Sequence, residues 1–304
     1  MTDRVYLWRK TKFSMKVLDG KGLAATIKEE LKQEVDTIRL AAGKIPHLAA
    51  VLVGEDPASQ VYVRNKVRSC ERIGFRSTLI RRPAEMTQTE LMEIVAELNE
   101  DSDVDGFIVQ LPLPDHLDED AVNLAIDPRK DVDGFTPVNI GMMTLGLPSY
   151  LPATPNGIMT MLERYGIPTS GKEVVVLGRS NIVGKPISIL LGRKGDPGNA
   201  TVTMCHSRTA DLAFHTRRAD ILIAAIGIPE MVTADMVKDG AVIIDVGINR
   251  VADSTKERGY RLCGDVNYAD LENKVAAMTP VPGGVGPMTV VSLLMNTLEA
   301  SKKR

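Results

Sequence analysis

Val174-Val-Val-Leu177-Gly178-Arg179-Ser180-Asn-Ile-Val-Gly184-Lys-Pro186 is the stretch that decides the fold of this chain. Four consecutive apolar residues, three of them β-branched, read as a strand buried on both faces, as in a parallel sheet covered by helices. Gly178 ends the strand, and Gly184 opens an apolar helical run. Such a turn brings free backbone N–H groups and the positive end of a helix dipole together, a natural seat for a pyrophosphate. The spacing departs from Gly-x-Gly-x-x-Gly, so on its own the turn reads equally well as purely structural. The next strand, Thr201–Cys205, runs into His206-Ser207-Arg208-Thr209 and meets no carboxylate before Asp211. A unit built for NAD usually places an acid there to bond the ribose hydroxyls. Arg179 and Ser207 can instead receive a 2′-phosphate, by fork geometry and by hydroxyl, so NADP is the expected cofactor; exposed polar loop residues are the alternative.

Outward from this unit, residues 201–205, 221–225 and 242–246 are three more buried-strand patterns. Upstream, Asp19 stands where a helix cap would, ahead of a stripe of Leu23, Ile27, Leu31, Val35 and Ile38. A strand is expected over 48–53, a helix over 58–73 closed by Gly74, and a short strand over 77–80. Thr87 and Glu90 form a capping-box signature before Leu91, Ile94, Val95 and Leu98, and a strand follows at Gly106–Val109. Residues 127–155 are rich in Pro, Gly and Asp with no long periodic segment, which reads as a domain boundary or a site-forming loop. Helices are expected over 157–165 and, at the end of the chain, over 289–300. The class is therefore α/β with parallel sheets, and 304 residues allow two domains, the second Rossmann-like.

With 37 basic and 39 acidic side chains the net charge is −2, which excludes a nucleic-acid binder that works by basic excess. Three widely spaced cysteines suggest neither disulfides nor zinc and fit a reducing, cytoplasmic setting. Four histidines without ligand spacing point to a metal-free mechanism, and no apolar run is long enough to imply a membrane span. Residues 1–14 are basic without the apolar core of a signal peptide; they read as a tail or as an upstream start ahead of Met15.

The first half carries a second set of chemistry. Ser59, Tyr62 and Lys66 fall at i, i+3 and i+7 on one helical face, with Arg64, Arg68 and Arg72 on the other side. Val63, Val67 and Cys70 flank the stripe and place Lys66 at the edge of apolar packing. Desolvation there would lower its pKa toward a range useful for proton transfer, although Tyr-x-x-x-Lys is also a common surface pair. Gln110 sits where a buried strand ends, the usual place for site residues in a parallel sheet, with Pro112 and Pro114 stiffening its loop. Asp131 and Asp133 are candidates for a carboxylate that accepts two parallel N–H bonds; an acidic turn is the alternative. Pro282-Gly283-Gly284-Val285-Gly286 lets backbone approach a flat ligand before a helix begins.

Taken together, Tyr62-Val-Arg-Asn-Lys66, Val109-Gln-Leu-Pro-Leu-Pro114, Asp131-Val-Asp-Gly134, the Gly178–Pro186 run, His206-Ser-Arg-Thr209, Asp245-Val-Gly-Ile-Asn249 and Pro280-Val-Pro-Gly-Gly-Val-Gly-Pro-Met-Thr289 closely resemble the bifunctional methylenetetrahydrofolate dehydrogenase/cyclohydrolase family. The motifs follow in the family's order over nearly everything after Met15. The resemblance implies two α/β domains flanking a cleft: residues 15–150 completed by a C-terminal helix at 286–304, and an NADP-binding domain at 151–285. It implies Tyr62 stacked on the folate rings, Asp133 on the pterin, and Lys66 with Gln110 as the proton-transfer pair, beside Val109 and Leu111. Arg179, Ser180 and Ser207 would hold NADP together with the Gly178 turn, Ile248 would lie near its nicotinamide end, and the loop from Pro282 to Gly286 would line the folate pocket. The implied reactions are NADP-dependent oxidation of 5,10-methylenetetrahydrofolate and hydrolysis of the methenyl product to 10-formyltetrahydrofolate, feeding one-carbon metabolism and purine biosynthesis, in a homodimer. The chain departs from the family at Ala153, where cysteine is common, at Asn156, where a basic residue is common, and in a longer connection over 192–199, expected to be a surface insertion. The competing readings are a dehydrogenase that has lost hydrolysis, another two-domain NADP enzyme of the shikimate dehydrogenase type, and a non-catalytic binder on an inherited fold.

Overall fold

A computed structural model describes residues 15–303; the basic segment 1–14 and Arg304 lie outside the described residues. The chain begins with β1 (Lys16–Val17), α1 (Gly20–Leu40), β2 (His47–Val53), α2 (Pro57–Ile73), β3 (Arg76–Arg82), α3 (Gln88–Glu100) and β4 (Gly106–Val109). The strands β2, β3 and β4 form a parallel sheet in the order β3-β2-β4. All seven residues of β2 are buried, as a central strand between two helical layers requires. Local chemistry sets several ends. Asp19 accepts from the Gly22 N–H, Asp56 caps α2 through the Ser59 N–H, and Gly74 stops α2 in the left-handed region at φ 85°. The Thr87/Glu90 capping box is fully formed.

The middle of the chain holds α4 (Glu119–Ala125), α5 (Pro137–Thr144) and α6 (Ala153–Arg164). The first two are too short to show a helical period, and since only α5 falls within 127–155, that stretch reads as irregular. Thr136 caps α5 and Pro137 takes its first turn, so the signal was chemical rather than periodic. The helix α6 starts four residues before the expected 157, because Pro155 falls in the first turn, where no intrahelical N–H bond is needed.

The second half supplies β5 (Glu173–Leu177), α7 (Gly184–Gly192), β6 (Thr201–Cys205), α8 (Leu212–Thr216), β7 (Ile221–Ala224), β8 (Val242–Asp245), β9 (Asn249–Ala252), β10 (Tyr260–Cys263), α9 (Tyr268–Leu271), β11 (Ala277–Met278) and α10 (Val285–Lys302). Six strands form one parallel sheet in the order β1-β11-β8-β7-β5-β6. The order reverses at β5, which leaves a crevice at the carboxyl ends of β5 and β7. The segment β9–β10 is an antiparallel hairpin, absent from the sequence expectation. Lys16 and Val17 pair with β11, so the start of the first half is tied into the second sheet. The helix α10 starts four residues before the 289 that the pattern gives and one before the 286 of the resemblance, with Pro287 in its first turn. It packs against α6, α1 and α2, and its Asn296 side chain donates to the carbonyls of Val132 (2.8 Å) and Leu151 (2.9 Å). One apolar cluster therefore runs from Leu18 and Val63 through Ile158 to Val176 and Leu294. Among the described residues no helix is long and apolar enough to cross a membrane.

Lys130 is 1% exposed, and its ammonium donates at 2.5 Å to the carbonyls of Leu98 and Asp101 at the end of α3. A cation there satisfies acceptors that the helix leaves open and complements its dipole. Lys130→Met is expected to lower stability by about 2–4 kcal/mol, since it strands buried carbonyls. Urea unfolding checks this; an unchanged midpoint would show that the ammonium contributes nothing net.

Candidate active site

A cleft of about 1060 Å³ opens between the two sheets. Its first wall comes from α2 and β4. Tyr62 (44% exposed) and Lys66 point into it from α2, while Arg64, Arg68 and Arg72 stay on the solvent side. Val109 ends β4, and Gln110 and Leu111 follow it into the same cleft. The Gln110 N–H is fixed on the Val51 carbonyl at 2.9 Å, so the strand ladder aims its side chain. The Lys66 Nζ donates to Gln110 Oε1 at 3.2 Å, and the Gln110 amide nitrogen donates to the Leu111 carbonyl at 2.6 Å. The second bond fixes which end of the amide faces the lysine.

Asp131 and Asp133 separate cleanly in role. Asp131 is buried and accepts from the backbone N–H groups of Gly134 (2.8 Å), Phe135 (3.2 Å) and Thr136 (2.7 Å), and from Asn139 (2.9 Å). It shapes the loop. No hydrogen bond ties up the Asp133 carboxylate among the described residues; it lines the cleft within the field of Lys66. Burial pushes Asp133 above the usual carboxylate range, with Lys66 pulling it back and Asp131 pushing it further up. Burial likewise lowers Lys66 below the ordinary lysine value, partly offset by Asp133. Gly134, at φ 75°, lets this loop pass Leu151, whose carbonyl carbon lies 2.6 Å from where a Cβ would stand.

The opposite wall belongs to the second sheet. Ile248, 44% exposed after β8, reaches the cleft, and its Cδ1 lies 3.5 Å from the position a Cβ on Gly286 would take. Val285 and Gly286 line the cleft, whereas Pro282, Gly283 and Gly284 do not. Gly283 and Gly284 dock instead on the start of α1: the Gly283 carbonyl accepts from the Lys21 N–H at 2.8 Å, and a Cβ on Gly20 would meet the Gly284 carbonyl at 1.8 Å. Several lining residues carried no assignment from sequence. Asn181, Ile182 and Lys185 come from the glycine turn and α7, with Lys185 donating to Asn181 at 2.7 Å. Thr154 and Thr289 share a 3.0 Å hydroxyl contact where α6 meets α10. Asn181, Ile182, Lys185 and Thr289 lay within quoted motifs; Thr154 did not.

Gly178, Arg179, Ser180 and Ser207 lie outside the cleft lining, at the carboxyl ends of β5 and β6. Gly178 adopts φ 118°, and a Cβ there would stand 2.1 Å from the Ala225 carbonyl oxygen. A Cβ on Gly184 would meet the Gly178 carbonyl at 2.2 Å, so the turn admits no side chain at either place. The Ser180 hydroxyl accepts from the N–H groups of Val183 (3.1 Å) and Gly184 (3.3 Å) and keeps its own proton to donate. Arg179 and Ser207 are exposed. Asp211, the first carboxylate after β6, accepts from the Phe214 N–H at 3.1 Å as the cap of α8. It is committed to the helix, leaving the end of β6 to hydroxyl and basic groups. This donor set fits a dinucleotide carrying a 2′-phosphate.

The three departures have defined places in the fold. Ala153 is buried, and its N–H donates to the Asp133 carbonyl at 3.1 Å. Asn156 donates to the Ser292 hydroxyl at 2.7 Å, joining α6 to α10. Residues 192–199 follow α7 at the surface, with Asn199 bonded back to the Arg193 carbonyl at 2.7 Å.

Known proteins match this chain over both halves. Residues 18–133 match the family model for the tetrahydrofolate dehydrogenase/cyclohydrolase catalytic domain, and residues 152–304 match that for its NAD(P)-binding domain. The bifunctional protein FolD of Cytophaga hutchinsonii is 60% identical over 94% of this chain and 99% of its own length. The crystal structure of the bifunctional methylenetetrahydrofolate dehydrogenase/cyclohydrolase of Campylobacter jejuni superposes with a TM-score of 0.89 at 45% identity, covering 95% of this chain and 99% of that one. The enzyme of Trypanosoma brucei, solved with NADP and an inhibitor, gives 0.89 at 41%, covering 95% and 98%. With both halves matched, in order and over nearly the whole length, the chain belongs to the tetrahydrofolate dehydrogenase/cyclohydrolase family.

Proposed function

We propose that this chain oxidises 5,10-methylenetetrahydrofolate with NADP and hydrolyses the 5,10-methenyl product to 10-formyltetrahydrofolate. The observation that carries this reading is the Lys66–Gln110 contact at 3.2 Å, placed with Asp133 in a cleft whose far wall is the dinucleotide turn and the loop after β8. Asp133 takes paired N–H donors of the pterin, and Tyr62 stacks on its rings. Val109, Leu111, Val285 and Gly286 complete the folate pocket with Pro282 beside them, and Gly283 and Gly284 brace the loop against α1. Gly178, Arg179, Ser180, Ser207 and Ile248 hold the cofactor. NADP, when bound, supplies the hydride acceptor for the first reaction.

The chain's own residues then account for hydrolysis. The methenyl carbon is an amidinium centre open to water. Neutral Lys66 takes a proton from the attacking water as the C–O bond forms, with the Gln110 carbonyl accepting from the amine and fixing its lone pair. The resulting ammonium returns that proton to the ring nitrogen as the C–N bond breaks, and the carbinol proton leaves to solvent. A lysine lowered by burial is suited to both transfers.

Residues 15–150 with the helix over 286–304 form the folate domain in this reading, although β1 is lent to the second sheet, and residues 151–285 form the cofactor domain. The β6 edge of that domain, with Met204 40% exposed, supports a homodimer built through it. A cytoplasmic setting and a supply of formyl groups to purine biosynthesis complete the proposal. Purified protein given methylenetetrahydrofolate and NADP is expected to make NADPH with little methenyl accumulation. Accumulating methenyl product would leave a dehydrogenase alone, and folded protein without turnover would sink the reading.

A further inference from the structure

Two buried carboxylates lie behind the cofactor wall and take no part in the chemistry just described. Asp245 ends β8 and Asp265 follows β10; they are 3% and 0% exposed. Asp245 accepts from the N–H groups of Gly247 and Asp265 on one oxygen and of Val266 on the other, each at 3.0 Å. Asp265 accepts from the N–H groups of Ile226 (2.7 Å) and Gly227 (3.0 Å) on one oxygen and from the Asn249 side chain (2.9 Å) on the other. The donors are uncharged N–H groups. Two glycines exist to let the carboxylates in: a Cβ on Gly264 would stand 1.7 Å from an Asp245 oxygen, and one on Gly247 would stand 2.2 Å from an Asp265 oxygen.

The loops joined in this way are the ones that matter for the crevice. Residues 225–227 leave β7, and the Ala225 carbonyl lies against the Gly178 turn. Residues 246–249 leave β8 and carry Val246 and Ile248 into the cleft, where Ile248 touches the Gly286 side. Asp265 thus spans from the loop against the phosphate turn to the loop against the folate pocket, and Asp245 anchors the segment from which Asp265 projects. Each carboxylate satisfies several N–H donors at fixed distances in a buried setting, where acceptor geometry is stiff because a displaced donor has no water to turn to.

We propose that Asp265, seated by Asp245, is a positioning residue for the cofactor: it sets the separation of the loops after β7 and β8 and so the slot that receives the reacting end of NADP. The inference rests on the functional reading above. Asp265→Asn keeps the shape but trades a carboxylate for a neutral amide. With its oxygen on the Ile226 and Gly227 N–H groups, its NH₂ faces the Asn249 side chain, whose amide must turn over to pair with it, so the charge-assisted bonds on both sides are lost. Adding Asn249→Asp returns a carboxylate–amide pair to that contact.

The test measures both activities of the full chain. Asp265→Asn is expected to raise KM for NADP by about tenfold, the equivalent of one lost hydrogen bond. KM for the folate and hydrolysis of supplied methenyltetrahydrofolate should hold, and the Asp265→Asn/Asn249→Asp pair should recover most of the loss. A folded Asp265→Asn protein with unchanged KM for NADP overturns the inference. So does an equal fall in both activities, which would mark general loosening, or a failure of the swap to rescue. Should Asp265→Asn not fold, Asn249→Ala removes only the 2.9 Å bond and is expected to raise KM for NADP about threefold, a fraction of one hydrogen bond; no change there also overturns the inference. Wild-type protein that turns over no folate with NADP overturns the functional reading as well, whereas an active wild type with an unaffected Asp265→Asn overturns this inference alone.

Discussion

Lys66→Met is expected to cut hydrolysis of methenyltetrahydrofolate by about 10²–10⁴-fold, the usual worth of a positioned acid–base group. The dehydrogenase rate should change far less, because hydride transfer needs no proton from this side chain. Methionine fills similar space without the ammonium or its bond to Gln110, and it removes a desolvated charge, so folding should survive. Two pH measurements sharpen the test. Wild-type hydrolysis should rise with pH along a limb set below the ordinary lysine value, since only the neutral amine can accept a proton and burial lowers its pKa. Stability has a matching sign: between the folded and unfolded pKa values the unfolded chain binds more protons, so this group makes stability rise with pH there. That rise should vanish in Lys66→Met. Equal loss of both activities in folded protein would refute the division of labour.

Asp133→Asn should weaken the folate in both reactions. One of the carboxylate's paired acceptors becomes a donor, and each lost charge-assisted bond is worth about 1.5–3 kcal/mol, or roughly 10–150-fold in KM. The same change removes the one group that raises Lys66, so the hydrolysis limb should move to lower pH in the variant. Steady-state kinetics at several pH values reads both effects. A rise in folate KM for one activity only, or a limb that stays in place, would show that Asp133 holds neither the pterin nor the lysine's charge.

What was legible in the sequence follows from the range over which each signal acts. Asp19, Gly74 and the Thr87/Glu90 box are settled by neighbours three or four residues away, and each formed where it was expected. The central strands β2, β5, β7 and β8 were equally plain, because burial on both faces leaves only apolar residues, whereas β6, expected to be buried, is the sheet's edge strand and is buried only at Cys205. The short helices α4 and α5 had too few turns to show a period, and β1 and β11 are two residues each, existing only because another strand lies alongside. The starts of α6 and α10 hold Pro155 and Pro287 in first turns that tolerate proline, so the apolar period becomes visible only after them.

The site divides along the same line. The shared face of Tyr62 and Lys66, the position of Gln110 at a strand end, and the glycine turn at Gly178 are local facts, and the sequence by itself determined them. Ordered motifs likewise determined the family. The resemblance paired Lys66 with Gln110 and set Asp133 on the pterin, but only the tertiary structure gives the 3.2 Å contact across 44 residues and the loop that Asp131 closes. Only the tertiary structure placed Asp265 behind the cofactor wall. Two aspartates one residue apart look alike in a sequence, because a carboxylate's role depends on which donors surround it. Those donors come from distant segments, brought together when α10 packs on α6 and the sheets close the cleft.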